Sequence, residues 1–176
     1  ESCGHHPNSQ GLPILALPRR GILVENRAEI QNLSMSNCMG IVAKDSPHIH
    51  WKGGCASFKH ESSMSKLTNV VFHRCRANSA GAVVIHAKTS LDFRNVSFSQ
   101  CSADNGATVK VEGVLKWADG SIGNSFAQGD NEGRWGGAVS IGGVISQTSL
   151  HGLHFINDYT TNGFGAVIHS KYPINV

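Results

Sequence analysis

Apolar and polar side chains alternate along this chain in short bursts, as in Leu91, Phe93, then Val96, Phe98, or Ala107, Val109, Val111. A two-residue period places every second side chain on one face of an extended strand, so each burst predicts a short half-buried β-strand rather than a helix. The bursts themselves recur. NLSMSNC (Asn32 to Cys38), NVVFHRC (Asn69 to Cys75) and NVSFSQC (Asn95 to Cys101) share Asn, an aliphatic residue, Met or Phe, and Cys at fixed offsets. GLHFIND (Gly152 to Asp158) keeps the aliphatic residue and the Phe, and GNSFAQG (Gly123 to Gly129) keeps Phe126 alone. A pair of small residues follows each copy: Gly54-Cys55, Gly81-Ala82, Gly106-Ala107, Gly137-Ala138 and Gly165-Ala166. Anchored on Met35, Phe72, Phe98, Phe126 and Phe155, the steps are 37, 26, 28 and 29 residues, the first lengthened by an insertion.

A strand whose equivalent returns about 27 residues later, with no helical segment between, pairs with it only by coiling around. The expected fold is therefore all-β: a parallel β-helix of about five coils over residues 30–176, preceded by a non-repetitive leader, residues 1–29. At the roughly 4.8 Å spacing of paired strands, five coils make a rod on the order of 24 Å long. Glycine suits a corner by taking positive φ or by letting backbone approach closely, and stacked asparagines suit an amide ladder along the axis.

GGAV at Gly136 to Val139, with the degenerate copies GGCA, AGAV, NGAT and FGAV, resembles the passenger repeats of the polymorphic outer membrane proteins. Those repeats combine a Gly-Gly-Ala-aliphatic motif with Phe-x-x-Asn. Here Phe-x-x-Cys stands instead, at Phe72 to Cys75 and Phe98 to Cys101. The resemblance covers roughly Asn32 to His169 and implies a right-handed β-helix in a secreted, surface-associated setting.

Composition narrows the function classes. The chain has 176 residues, 20 of them glycine, and a net charge of +3 with scattered basic residues, which gives no concentrated field for nucleic acid. The longest apolar stretch, Gly11 to Pro18, is too short to span a bilayer and is broken by prolines, so no direct membrane insertion is expected. A start at Glu1, without Met or a leader peptide, fits a processed mature chain or an excised piece.

Five cysteines, Cys3, Cys38, Cys55, Cys75 and Cys101, show no zinc spacing. Cys38, Cys75 and Cys101 share one column, which allows either a disulfide such as Cys75 with Cys101 or an interior stack of reduced thiols. Cys55 falls in the alanine column, leaving Cys3 as a partner near the first coil or on another chain. Asn32-Leu33-Ser34 and Asn95-Val96-Ser97 are N-glycosylation sequons, usable only where the ladder faces solvent. Ten histidines include His48 and His50 on one strand face, yet no third ligand is fixed, so no metal or other cofactor is expected. His73, His86, His151, His154 and His169 read as outward strand positions.

Trp51 and Lys52, Arg134 and Trp135, and Phe164 all precede small-residue pairs, so stacked coils would align them along one edge, suited to sugar rings or to another subunit. Asp92, Asp104, Asp119, Asp130 and Asp158 occupy different offsets and read as turn residues, and no nucleophile motif appears, so an enzyme is not expected. Both rod ends would expose unpaired backbone. The expected function is a secreted or cell-surface structural or adhesive protein that stacks end to end with its own copies, the leader completing the neighbour. The alternative is a segment of a larger rod that binds, or less readily cleaves, surface carbohydrate along the Trp edge.

Overall fold

The structure is a computed structural model that describes residues 21–40, 54–59, 64–77, 79–103, 107–128, 137–142, 147–161, 167–170 and 174–175. Among these residues every regular element is a strand, and every pairing is parallel. The strands are β1 Ile22–Val24, β2 Glu29–Gln31, β3 Ser34–Ser36, β4 Met39–Gly40, β5 Ala56–Phe58 and β6 Met64–His73. They continue as β7 Arg76–Ala77, β8 Ala80–Ile85, β9 Ser90–Ser99, β10 Ser102–Ala103, β11 Ala107–Val111 and β12 Val114–Gly123. The last are β13 Phe126–Gln128, β14 Val139–Ile141, β15 Gln147–Ile156, β16 Tyr159–Thr161, β17 Ile168–Ser170 and β18 Ile174–Asn175.

They form three sheets: β1-β5-β8-β11-β14-β17; β2 and β3 together, then β6-β9-β12-β15-β18; and β4-β7-β10-β13-β16. The chain therefore visits the first, second and third sheet in fixed rotation, and each strand inside a sheet pairs with its equivalents from the round before and the round after.

The inward-facing residues of β9, and Cys101 just after it, show how sequence sets this path. Leu91 and Phe93 are two apart, Val96 follows at three, Phe98 at two and Cys101 at three, and all five are buried. Each three-residue step contains a residue with positive φ, Asn95 at 51° and Gln100 at 53°. A left-handed residue turns the strand and resets its alternation, so the next side chain points inward again. The same two corners recur in every round, at Asn32 and Asn37, Asn69 and Arg74, Asp119 and Asn124, and Gly152 and Asn157.

The core between the sheets is built from columns of like residues. Phe72 and Phe98 stack with ring centroids 5.0 Å apart and an interplanar angle of 7°, and Trp117 meets Phe98 edge-on at 5.3 Å. Gly120 makes the space: a Cβ there would sit 2.1 Å from the Val96 carbonyl oxygen and 2.7 Å from Trp117 Nε1. Gly54 and Gly81 serve the tight corner between the third and first sheets by close approach, since a Cβ on Gly81 would lie 2.7 Å from the Ser102 oxygen. Gly137 instead uses positive φ, 84°.

Two register expectations are corrected. The column Met35, Phe72, Phe98 continues to Ile122 and Phe155, with Ile122 paired to both Phe98 and Phe155. The fourth copy is thus Asp119 to Ser125, and Phe126 lies beyond it in the third sheet, half-buried. Successive steps are then 37 residues for Asn32 to Asn69, 26 for Asn69 to Asn95, 24 for Cys101 to Ser125 and 33 for Asn124 to Asn157. In the small-residue column, a bulge between Ala107 and Val109 pairs Ala107 with Ala80, so Thr108 is the residue that follows Ala82 in that column. Unequal loops and one bulge preserve every core column while shifting the motif letters, and letters alone do not reveal such shifts.

Candidate functional site

The corners carry polar ladders. Asn95 Nδ2 donates to Asn69 Oδ1 at 3.0 Å, and Asn69 Nδ2 donates to Asn32 Oδ1 at 3.1 Å. The ladder stops where Asp119 and then Gly152 occupy the column, because neither offers an amide donor. These asparagines are exposed, so both sequons, at Asn32 and Asn95, face solvent. At the second corner Asn157 Nδ2 donates to Asn124 Oδ1 at 3.3 Å, while Arg74 Nε donates to Gln100 Oε1 at 2.9 Å.

Just inside that second corner runs the column Cys38, Cys75, Cys101, Ser125 and Asp158. Neither option open to this column, a bond such as Cys75–Cys101 or a stack of reduced thiols, is what the structure holds. Cys75 is bonded to Cys55, with 5.6 Å between their Cα atoms, and Cys101 is a buried free thiol. Residues stacked along parallel strands point the same way, whereas Cys55 faces Cys75 across the interior, where their Cβ vectors converge. Cys38 is also disulfide-bonded, and Cys3 lies outside the described residues. Burial pushes the Cys101 thiol up to about 11, opposed by backbone hydrogen bonds around Cys75 and Ser99 and reinforced by the nearby Asp158 carboxylate. Such a thiol is a packing residue rather than a nucleophile. Asp158, expected as a turn residue, points inward and accepts the Ser125 N–H at 2.9 Å, and burial raises its carboxyl above the ordinary range.

On the outer face of the first sheet, Ser57 Oγ lies 3.0 Å from His86 Nε2. His86 Nδ1 is 3.9 Å from Glu112 Oε2, and Lys110 Nζ is 3.1 Å from Glu112 Oε1. The residue order matches a serine-histidine-carboxylate relay, yet the geometry serves another purpose. The histidine-carboxylate distance exceeds a hydrogen bond, the carboxylate is held by lysine, and Ser57 is buried in a strand paired on both sides. Backbone donors beside it are committed to the sheet, where an acyl-transfer site needs them aimed at an oxyanion. The cluster instead ties three successive rounds together.

The third sheet presents an outward column of mixed character. Met39, Arg76, Ser102, Phe126 and Tyr159 follow one another in register across β4, β7, β10, β13 and β16. Tyr159 is 57% exposed, and its ring lies 4.9 Å from that of Phe126. Gln128 and Thr161, both exposed, pair beside them.

Trp51, Lys52, Arg134, Trp135 and Phe164, expected as an aromatic edge, lie outside the described residues, as do His48 and His50. His73 is partly exposed, with Nδ1 2.7 Å from Ser99 Oγ, and His151 and His154 are exposed outward positions. The Phe126–Tyr159 pair escaped sequence reading because Phe126 resembled a core anchor, and only strand register turns it outward. No protein-family model matches the chain, and no curated protein or solved structure is detectably similar to it.

Proposed function

We propose that the chain is a right-handed parallel β-helix acting as a non-enzymatic structural or adhesive rod outside the cell, growing by end-to-end stacking of copies. The winding is supported by the rotation of the chain through three sheets and by the two corners repeated in each round. The observation that carries the stacking is the state of the last described round. Leu153, Phe155 and Ile168 there are only partly buried, while Val96, Phe98 and Val139 in the same columns have no exposed surface. Each sheet also ends, among the described residues, in strands paired on one side only: β17, β18 and β16 at this end, β1, β2 and β4 at the other.

A further round laid on this end would bury the apolar side chains and complete three ladders, the logic of strand addition. The cysteine bonds fit an oxidising compartment and a surface setting of the kind that the polymorphic outer membrane protein resemblance implies.

Sedimentation velocity and electron microscopy over a range of concentrations test the stacking. Linear multimers that disappear in a Phe155→Asp variant with an unchanged far-ultraviolet spectrum are expected. A monomer at every concentration would overturn the reading.

A further inference from the structure

We infer that Asp158 is a proton-operated gate on end-to-end stacking, a regulation that presupposes the stacking proposed above. Protonated, it admits a further round; ionised, it holds the end of the stack open.

Position supplies the geometry. Cys75, Cys101, Ser125 and Asp158 follow one another in the inward column beside the second corner, and the first three have no more than 2% of their surface exposed. Asp158, in the last described round, is only partly buried, since it leads into β16, the end strand of the third sheet. Asp158 Oδ1 accepts the Ser125 N–H at 2.9 Å, much as Ser125 Oγ accepts the Cys101 N–H at 3.4 Å. A side-chain oxygen of the later round thus caps an N–H of the round before. Serine does this with a single neutral oxygen. The carboxylate brings a second, and Asp158 Oδ2 is shut off from water with no hydrogen-bond partner.

The next inward position shows the same change. Thr160 pairs with Ala127, whose column continues to Ala103 and Ala77, and its Oγ1 is likewise buried without a hydrogen-bond partner. On this side the last described round is polar inside, where earlier rounds carry cysteine, serine and alanine. An inward-pointing charge is one means by which a sheet edge avoids recruiting strands.

Chemistry makes the gate depend on pH. A strand of a second copy laid on β16 would bring Asp158 to the enclosure that Ser125 already has. An ionised carboxylate enclosed with one unpaired oxygen is costly, whereas the protonated acid is neutral and gains an O–H donor. Burial already raises the carboxyl above its ordinary value at the uncovered end, partly offset by backbone hydrogen bonds around Ser125 and Ile156. Covering it raises it further, so each junction takes up a proton. Association is then fully present below the pKa of the uncovered carboxyl and is lost as pH rises through that of the covered one.

Among the described residues no charged side chain offsets the carboxylate. Cys101 faces it from the rounds before, and that thiol stays protonated up to about 11. His151 and His154 point outward from β15, Tyr159 outward from β16, and His169 lies on the opposite side of β17 from the core-packed Ile168. At the other end of the stack Arg27 and Glu29 are exposed and paired with each other at 3.1 Å.

The test is sedimentation velocity from about pH 5 to about pH 8 on the wild-type chain, Asp158→Asn and Asp158→Ser, each with its far-ultraviolet spectrum checked. The wild-type association constant should fall with rising pH, by up to about tenfold per unit. Both variants keep an oxygen for the Ser125 N–H and lack the titrating proton. Each should associate at the alkaline end at least as tightly as wild type at the acidic end, with little pH dependence. Wild-type association indifferent to pH, or a slope retained in both variants, would overturn the gate and leave stacking intact. The second of these results would assign the slope to His151, His154 or His169. Monomers in all three proteins at every pH would overturn stacking and the gate together.

Discussion

Cys55 and Cys75 are joined across the interior of one round, 20 residues apart in sequence, while Cys101, directly next to Cys75 in its column, has no sulfur partner. Ala82 explains the difference. It occupies the position of Cys55 one round later, as the Cys55 N–H to Ala82 carbonyl bond of 2.9 Å shows, so Cys101 faces a methyl group.

Ala82→Cys should therefore form a disulfide with Cys101. Closing a loop of about 20 residues is worth roughly 3 kcal/mol, less any strain. Thiol titration of the unfolded oxidised variant should find no free Cys101, and its melting temperature should rise. Persistence of two reactive thiols would refute the cross-round alignment.

Alkaline pH offers a second check. The unfolded thiol ionises near its ordinary value of 9.0, the native Cys101 near 11, so the native state retains an extra proton between these values. Stability should thus be fully present below pH 9 and fall on the order of 2–3 kcal/mol as pH rises to 11. Denaturant melts of Cys101→Ala should lose this slope, whatever the substitution does to absolute stability. Alkylation of native Cys101 at neutral pH should be negligible until the chain unfolds.

Phe98 and Phe126 separate the two possible anchors. Phe98 sits between Phe72 and Trp117 with no exposed surface, so Phe98→Ala should cost about 3–5 kcal/mol. Phe126→Ala should cost less, about 1–2 kcal/mol, because that ring faces outward and is only partly buried. Chemical denaturation of the two variants measures both, and comparable losses would contradict the register.

At Asn69 two effects can be taken apart. Asn69→Gly keeps a residue at ease with φ of 54° and removes two amide hydrogen bonds, whereas Asn69→Ala also leaves the Cβ in left-handed backbone without the local polar contacts by which asparagine tolerates it. The glycine variant should lose about 1 kcal/mol and the alanine variant about 1–2 kcal/mol more, by equilibrium unfolding. Equal losses would mean that the corner tolerates any residue.

Residue pattern alone reached the parallel strands, the Asn32-Asn69-Asn95 and Cys38-Cys75-Cys101 columns and the Phe72–Phe98 stack. Each of these is one physical position occupied again in the next round, and a repeated environment selects a repeated residue. The pairing of Cys55 with Cys75, the substitution of Ile122 for an aromatic anchor and the outward turn of Phe126 and Tyr159 were decided by tertiary structure. They depend on which residue faces which across a round, and on loops of unequal length that move motif letters without moving the strands. Hydrogen-bonded register conserves position in space, whereas spacing along the chain is free to drift wherever a loop meets only water.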